Sequence, residues 1–148
     1  MGADDSGLSF ATLERDSVER FQTLRRELGV SGFGINLMLL QPGQRGRIHA
    51  HEYQEEVYVV LEGELTLLVE AEPHVLVADS VVRVAPHVRR QLVNAGATRL
   101  VLLALGGAGE HAGRDGRAWR DWQEGGDGAP PQEVPLPEDL ERSHGLGA

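Results

Sequence analysis

The chain has no cysteine, which excludes disulfides, thiolate-bound metal and a cysteine nucleophile. It also has no lysine, since all 14 basic residues are arginine. Schiff-base chemistry and a lysine general base are therefore ruled out. Aromatic residues make up only 5% of the sequence, and no apolar run approaches membrane-spanning length. The N-terminus, Met1-Gly-Ala-Asp-Asp, is polar and acidic. No secretory signal is expected from it, and the expected location is the cytoplasm. A formal net charge of −9 argues against nucleic acid or an anionic membrane as the main partner. What remains is an acidic chain of 148 residues, the size of one domain with one core.

The sequence divides into three parts. Residues 1–31 hold one expected helix, at about 17–28. Asp16 or Ser17 would cap it, Val18, Phe21, Leu24 and Leu28 recur at helical spacing, and Gly29 would stop it. Residues 32–106 read as a series of short strands, at 33–40, 56–61, 64–70, 75–77, 81–84, 89–94 and 99–105. Turn signals separate them: Gln41-Pro42-Gly43, Glu62-Gly63, Glu72-Pro73-His74, Ala78-Asp79-Ser80 and Asn94-Ala95-Gly96. Short strands without intervening helices imply an all-β sandwich or barrel. Residues 107–148 are Gly- and Pro-rich and acidic, and read as an extended tail with a short ordered piece near 115–122. Trp119 and Trp122 are expected to pin that piece to the barrel.

Two histidines one residue apart, His49 and His51, share a face if they lie in a strand. A carboxylate pair, Glu55-Glu56, follows and opens the next strand. Gly43, five residues, His49, one residue, His51, four residues, Glu56, six residues and Gly63 together reproduce the first signature motif of the cupin superfamily. The chain resembles a small single-domain, type-2 cupin over about residues 33–105. That resemblance implies a double-stranded β-helix, a jelly-roll relative, with His49 and His51 pointing into the barrel and Glu56 facing them. It also implies a homodimer and a divalent metal, iron, manganese, nickel or zinc, on His49, His51 and Glu56.

The second cupin motif is largely absent. Anchored on Asn94, it places Asp79 and His87 where glycines are usual, Ala85 for the proline and Arg90 for the histidine. Arginine stays protonated and has no lone pair for a metal. His87, or Gln91, is a candidate replacement ligand. In the competing arrangement, Arg90 reaches Glu56 in a charge-assisted pair and the histidines stay neutral in a polar core. Because the family places position 90 inside the barrel, Arg90 is also a candidate for binding an anionic ligand. Tyr58 and Tyr53 are candidate hydrogen-bond donors at the pocket. Arg83 and Arg89 are expected to solvate an outer sheet face, and His74, His111 and His144 to be surface residues.

Three functional classes follow. One is a metal-dependent enzyme that oxidises or isomerises a small, anionic molecule. The second is a non-catalytic small-molecule binder, and the third a structural cupin that has lost the site. Fold alone does not choose among them.

Overall fold

The computed structural model describes residues 6–107 and 115–141; His111 and His144 lie outside the described residues. In chain order the elements are β1 (Phe21–Gln22), α1 (Leu24–Leu28), β2 (Gly34–Leu40), β3 (Ile48–His51), β4 (Glu55–Glu62) and β5 (Glu64–Val69). They continue with β6 (Glu72–Val77), β7 (Val81–Val84), β8 (Arg90–Val93), β9 (Leu100–Gly107), β10 (Gly116–Trp119) and a 3₁₀ turn at Pro131–Glu133. Two antiparallel five-stranded sheets result, ordered β1-β2-β9-β4-β7 and β10-β3-β8-β5-β6. The all-β jelly roll expected from the strand series is the observed fold.

The core between the sheets takes Met38, Leu40, Tyr58, Val60, Leu100 and Leu102 from the first sheet and Leu65, Leu67 and Leu92 from the second. The second half of β2, Leu37–Leu40, is an unbroken apolar run because both of its faces are covered. Its inward residues join that core. Leu37 and Leu39 on the opposite face pack with Leu24 of α1, Val101 and Leu13. Strands β2 and β9 pair from Gly34↔Gly106 through Leu40↔Leu100, which builds the wall beside the cavity described below.

The helix is shorter than the periodicity predicts. Residues 21–22 pair with β2 instead, in the register Phe21↔Met38 and Gln22↔Leu37, so an edge ladder takes backbone groups that a helix would have used. Asp16 does not cap a helix. It accepts from the Arg99 guanidinium at 2.7 Å, while Ser17 Oγ accepts from the Glu19 N–H. Val18 and Phe21 are exposed. The stop is as expected, with Gly29 in the left-handed conformation at φ 72°. The turn expected at Glu72-Pro73-His74 falls earlier, on Glu70 (φ 49°) and Ala71 (φ 69°). Pro73 sits inside β6, where an edge strand tolerates a missing donor.

Residues 115–141 are held against the barrel rather than extended away from it. Strand β10 pairs with β3 from Gly116↔His51 to Trp119↔Ile48. Trp119 packs on Ile48 and Ala50, with Trp122 beside them. The Arg89 guanidinium lies 5.3 Å from the Trp119 ring centre and 5.6 Å from that of Trp122, so Arg89 does more than solvate a face. Arg47 Nε donates to the Val134 carbonyl at 2.5 Å and Arg45 Nε to that of Glu138 at 2.7 Å.

Gly63 turns β4 into β5 at φ 81°, and a Cβ at this position would collide with the Arg99 carbonyl. Gly63→Ala is expected to destabilise the fold by at least about 2 kcal/mol, combining left-handed strain with that clash. Urea unfolding measures it, and an unchanged midpoint would contradict this reading of the turn.

Candidate metal centre

Alternation along β3 sets the site. Ile48 and Ala50 are buried against Trp119 on one face, which turns His49 and His51 to the other, into the barrel. Glu56, the second residue of β4, faces them. Nε2 of His49 is 3.2 Å and Nε2 of His51 is 3.3 Å from Glu56 Oε1. One ligand atom from each of His49, His51 and Glu56 lies within 4.8 Å of the other two. Sequence spacing alone had pointed to this triple, and the fold brings the three side chains together.

Arg90 enters the same cluster from β8, directly opposite His49 in register. It is fully buried. Its Nη2 donates to Glu56 Oε1 at 2.6 Å, and Nη1 donates to the carbonyls of Val88 at 2.8 Å, Pro86 at 3.1 Å and Ala85 at 3.4 Å. Tyr58, also buried, donates its hydroxyl to Glu56 Oε1 at 2.6 Å. Arg90 is thus fully engaged inside the protein and is not available to an incoming anion. Burial, the largest influence on the Glu56 carboxyl, pushes its pKa up, but His49, His51 and Arg90 outweigh it. The group is held well below the usual carboxylate range. Burial, then the adjacent Glu56 charge, pushes the Tyr58 phenol well above its ordinary value.

Each ring has an acceptor on its far side as well as Glu56 in front. His49 Nδ1 faces the Arg47 carbonyl at 3.2 Å, and His51 Nδ1 faces the Asp115 carboxylate at 2.8 Å. Both partners are acceptors, and so is Glu56 Oε1 on the Nε2 side, so only a neutral ring that carries its proton on Nδ1 turns an Nε2 lone pair into the cluster. His51 Nε2 is buried and has no partner at hydrogen-bond geometry. In the Nδ1–H tautomers two lone pairs would face a carboxylate, an arrangement that calls for a cation or a proton between them. The His51 imidazole accordingly ends above its usual pKa: burial, the largest influence, lowers it, and Glu56 and Asp115 raise it by more.

Asp115 is the functional residue that sequence reasoning missed. Its carboxylate also accepts from the N–H groups of Tyr53 and Gln54, each at 2.9 Å, and from Gln54 Nε2 at 2.8 Å. It sits 64 residues from His51 in the chain, just before β10, and no local motif marks it. A carboxylate that orients a histidine from behind is the usual support for a metal ligand. The donor set fits a divalent ion: two imidazole nitrogens, with free lone pairs in the Nδ1–H tautomers, and a carboxylate. Atoms bonded to one ion at roughly 2.0–2.2 Å lie about 3.0–3.5 Å apart, as each Nε2 does from Glu56 Oε1 at 3.2 and 3.3 Å.

The other candidates fall elsewhere. His87 is exposed on the segment between β7 and β8, outside the triple, because the Pro86 turn leaves it on the outside. Gln91 is buried on the opposite face of β8 from Arg90 and donates to the Gly46 carbonyl at 3.0 Å. Neither replaces the missing ligand. Tyr53 is largely exposed, and Arg83 pairs with Glu55 on the outside. A cavity of about 910 Å³ opens onto the centre, with His51, Glu56, Gln54, Asn36 and Gly106 among its walls.

Asp115→Asn is expected to weaken divalent metal binding roughly 10- to 100-fold by releasing the His51 tautomer, with the fold retained. Calorimetric titration checks this. In the wild type, affinity should fall as the pH drops through the raised pKa of His51, because the proton then competes for Nε2. Affinity independent of pH across that range would contradict the assigned ligand.

Residues 36–106 match the Cupin_2 family model, described as the cupin domain. No functionally curated protein matches the chain. Among solved structures, a proposed sugar phosphate isomerase of Acidithiobacillus ferrooxidans is 28% identical, with a TM-score of 0.58 over 64% of this chain and 60% of that one. This chain therefore spans under two thirds of that protein's length. A sugar phosphate isomerase of the cupin superfamily from Silicibacter pomeroyi is 22% identical, with a TM-score of 0.61 over 77% of this chain and 76% of that one. A cupin protein of Bacteroides fragilis, 22% identical, also gives 0.61, over 72% and 86%. The last two share the fold. With the first motif in place and the jelly roll around it, residues 36–106 of this chain are a cupin domain.

Proposed function

We propose that this cupin holds a divalent metal on His49, His51 and Glu56 and acts on a small anionic substrate, isomerising a phosphorylated sugar. The observation that carries the proposal is the convergence of both Nε2 atoms on Glu56, with an acceptor behind each Nδ1 to support the ligating tautomer. The substrate class is suggested by the neighbours described as sugar phosphate isomerases.

When bound, the metal supplies Lewis acidity toward a carbonyl or hydroxyl oxygen. The chain's own residues do the rest. Asp115 holds His51 in register. Arg90 and Tyr58 hold Glu56 ionised and fixed in place. Asn36 lines the approach and offers its amide group to substrate hydroxyls, while Gln54 beside it is held by Asp115. The four contacts to Glu56 all fall on Oε1, which leaves Oε2 the freer oxygen for ligation or proton transfer.

One observation favours a second reading. The Arg90–Glu56 pair at 2.6 Å already neutralises the carboxylate, as it would in a non-catalytic binding cupin without metal. Metal analysis of protein purified without a histidine tag separates the two. The expected result is near-stoichiometric metal and a melting temperature raised by added nickel, zinc, manganese or iron(II). His49→Ala and Glu56→Ala should abolish that response. Metal-free Arg90→His should lose about 3 kcal/mol of stability, because Glu56 is left buried without its cation. The same variant should bind metal at least tenfold tighter, about 1.4 kcal/mol, through a fourth ligand. Interconversion of a phosphorylated aldose and ketose by the metal-loaded wild type tests the reaction. If neither protein holds or responds to any metal, the second reading stands.

A further inference from the structure

Arginine 25, on α1, lines the same cavity as His51 and Glu56. Its Nε is buried and has no hydrogen-bond partner. Among the described residues no ion pair or side-chain hydrogen bond involves it, whereas Arg90, Arg99, Arg83 and Arg89 are all paired with carboxylates. The side chain is half-buried, and its Nε–H, which can neither accept nor lose its proton, is left without an acceptor of the protein's own.

The cavity's own carboxylates are already engaged with other groups. Its two carboxylates are Glu56 and Asp115. Glu56 is taken by Arg90, Tyr58 and the histidines, and Asp115 by His51, Tyr53 and Gln54. The only other cation on the wall, among the described residues, is Arg117. It pairs with Glu52 at 3.2 Å, and both side chains are well exposed, so that pair is weak and easily redirected. The amides of Asn36 and Gln132 complete a set of donors. In a chain of net charge −9, a spare arginine facing a cavity is a local reversal of sign.

We propose that Arg25 is an oxyanion-binding subsite: it takes the phosphate or carboxylate end of a small molecule whose other oxygens face His51 and Glu56. The planar guanidinium presents parallel N–H donors that match two oxygens of such a group. Arg90, the candidate anion binder by sequence position, is sealed inside the barrel, so recognition of charge passes to Arg25. The inference rests on the metal-site reading only for the ligand's other end. Anion binding at Arg25 needs no metal.

The test uses full-length protein stripped with a chelator and titrated with inorganic phosphate, acetate, ribose 5-phosphate and ribose. Ribose 5-phosphate is expected to bind at least tenfold tighter than ribose, and the two inorganic and organic anions show which oxyanion is preferred. Arg25→Gln should remove that tenfold advantage, Arg25→Lys should keep part of it, and Arg26→Gln, on the exposed neighbour, should leave it unchanged. The metal-induced rise in melting temperature is read on the same variants and should be unaffected. If Arg25→Gln binds phosphate and ribose 5-phosphate as the wild type does, or the wild type binds no anion at millimolar concentration, the proposal fails. A protein that binds these anions through Arg25 but shows no metal response would overturn the metal reading alone.

Discussion

Glu56 Oε1 gathers Arg90, Tyr58 and both imidazoles within 3.3 Å in the interior of the barrel. A carboxylate at that depth costs several kcal/mol unless it is paired and hydrogen-bonded, and the surrounding structure meets both conditions. Arg90 in turn is acceptable there only because the carbonyls of Ala85, Pro86 and Val88 take its remaining donors. The turn before β8 is therefore shaped around the guanidinium. Removing either partner strands the other, which makes this pair both the polar anchor of the fold and the floor of the site.

The same pair sets the electrostatics of the candidate metal centre. With Arg90 balancing Glu56, an incoming divalent ion meets two neutral histidines and a carboxylate whose charge is already shared. Affinity should therefore be lower than for a cluster with a fourth neutral ligand. The gain is a fixed carboxylate orientation. In the proposed subsite, the charge that recognises an oxyanion sits elsewhere in the cavity, at Arg25, apart from the candidate metal ligands.

Much of this was legible in the sequence, for definite reasons. The triple His49, His51 and Glu56 could be read because strand alternation and one short loop bring its members together within eight residues. Strands β2 and β9 stand out because they are buried on both faces. The helix was overextended because Val18 and Phe21 sit at helical spacing, yet residues 21–22 pair with β2. Pro73 signals a turn locally and is tolerated only because β6 lies at an edge. Asp115 was invisible because its role depends on β10 docking beside β3, a contact between segments 64 residues apart. The two arrangements of Arg90 differ in side-chain direction and partners, which spacing does not encode. The fold brings it onto Glu56.

The most direct test of the site is the proton position on the two histidines. Nitrogen-15 NMR of the metal-free protein, recorded above the raised titration of His51, reports which ring nitrogen is protonated. The expected result is an Nδ1–H tautomer for both His49 and His51, with the Nε2 signals moving on addition of zinc. Nε2–H tautomers for both rings, unmoved by zinc, would mean that these nitrogens donate to Glu56 as part of a closed polar core, and would contradict the metal centre.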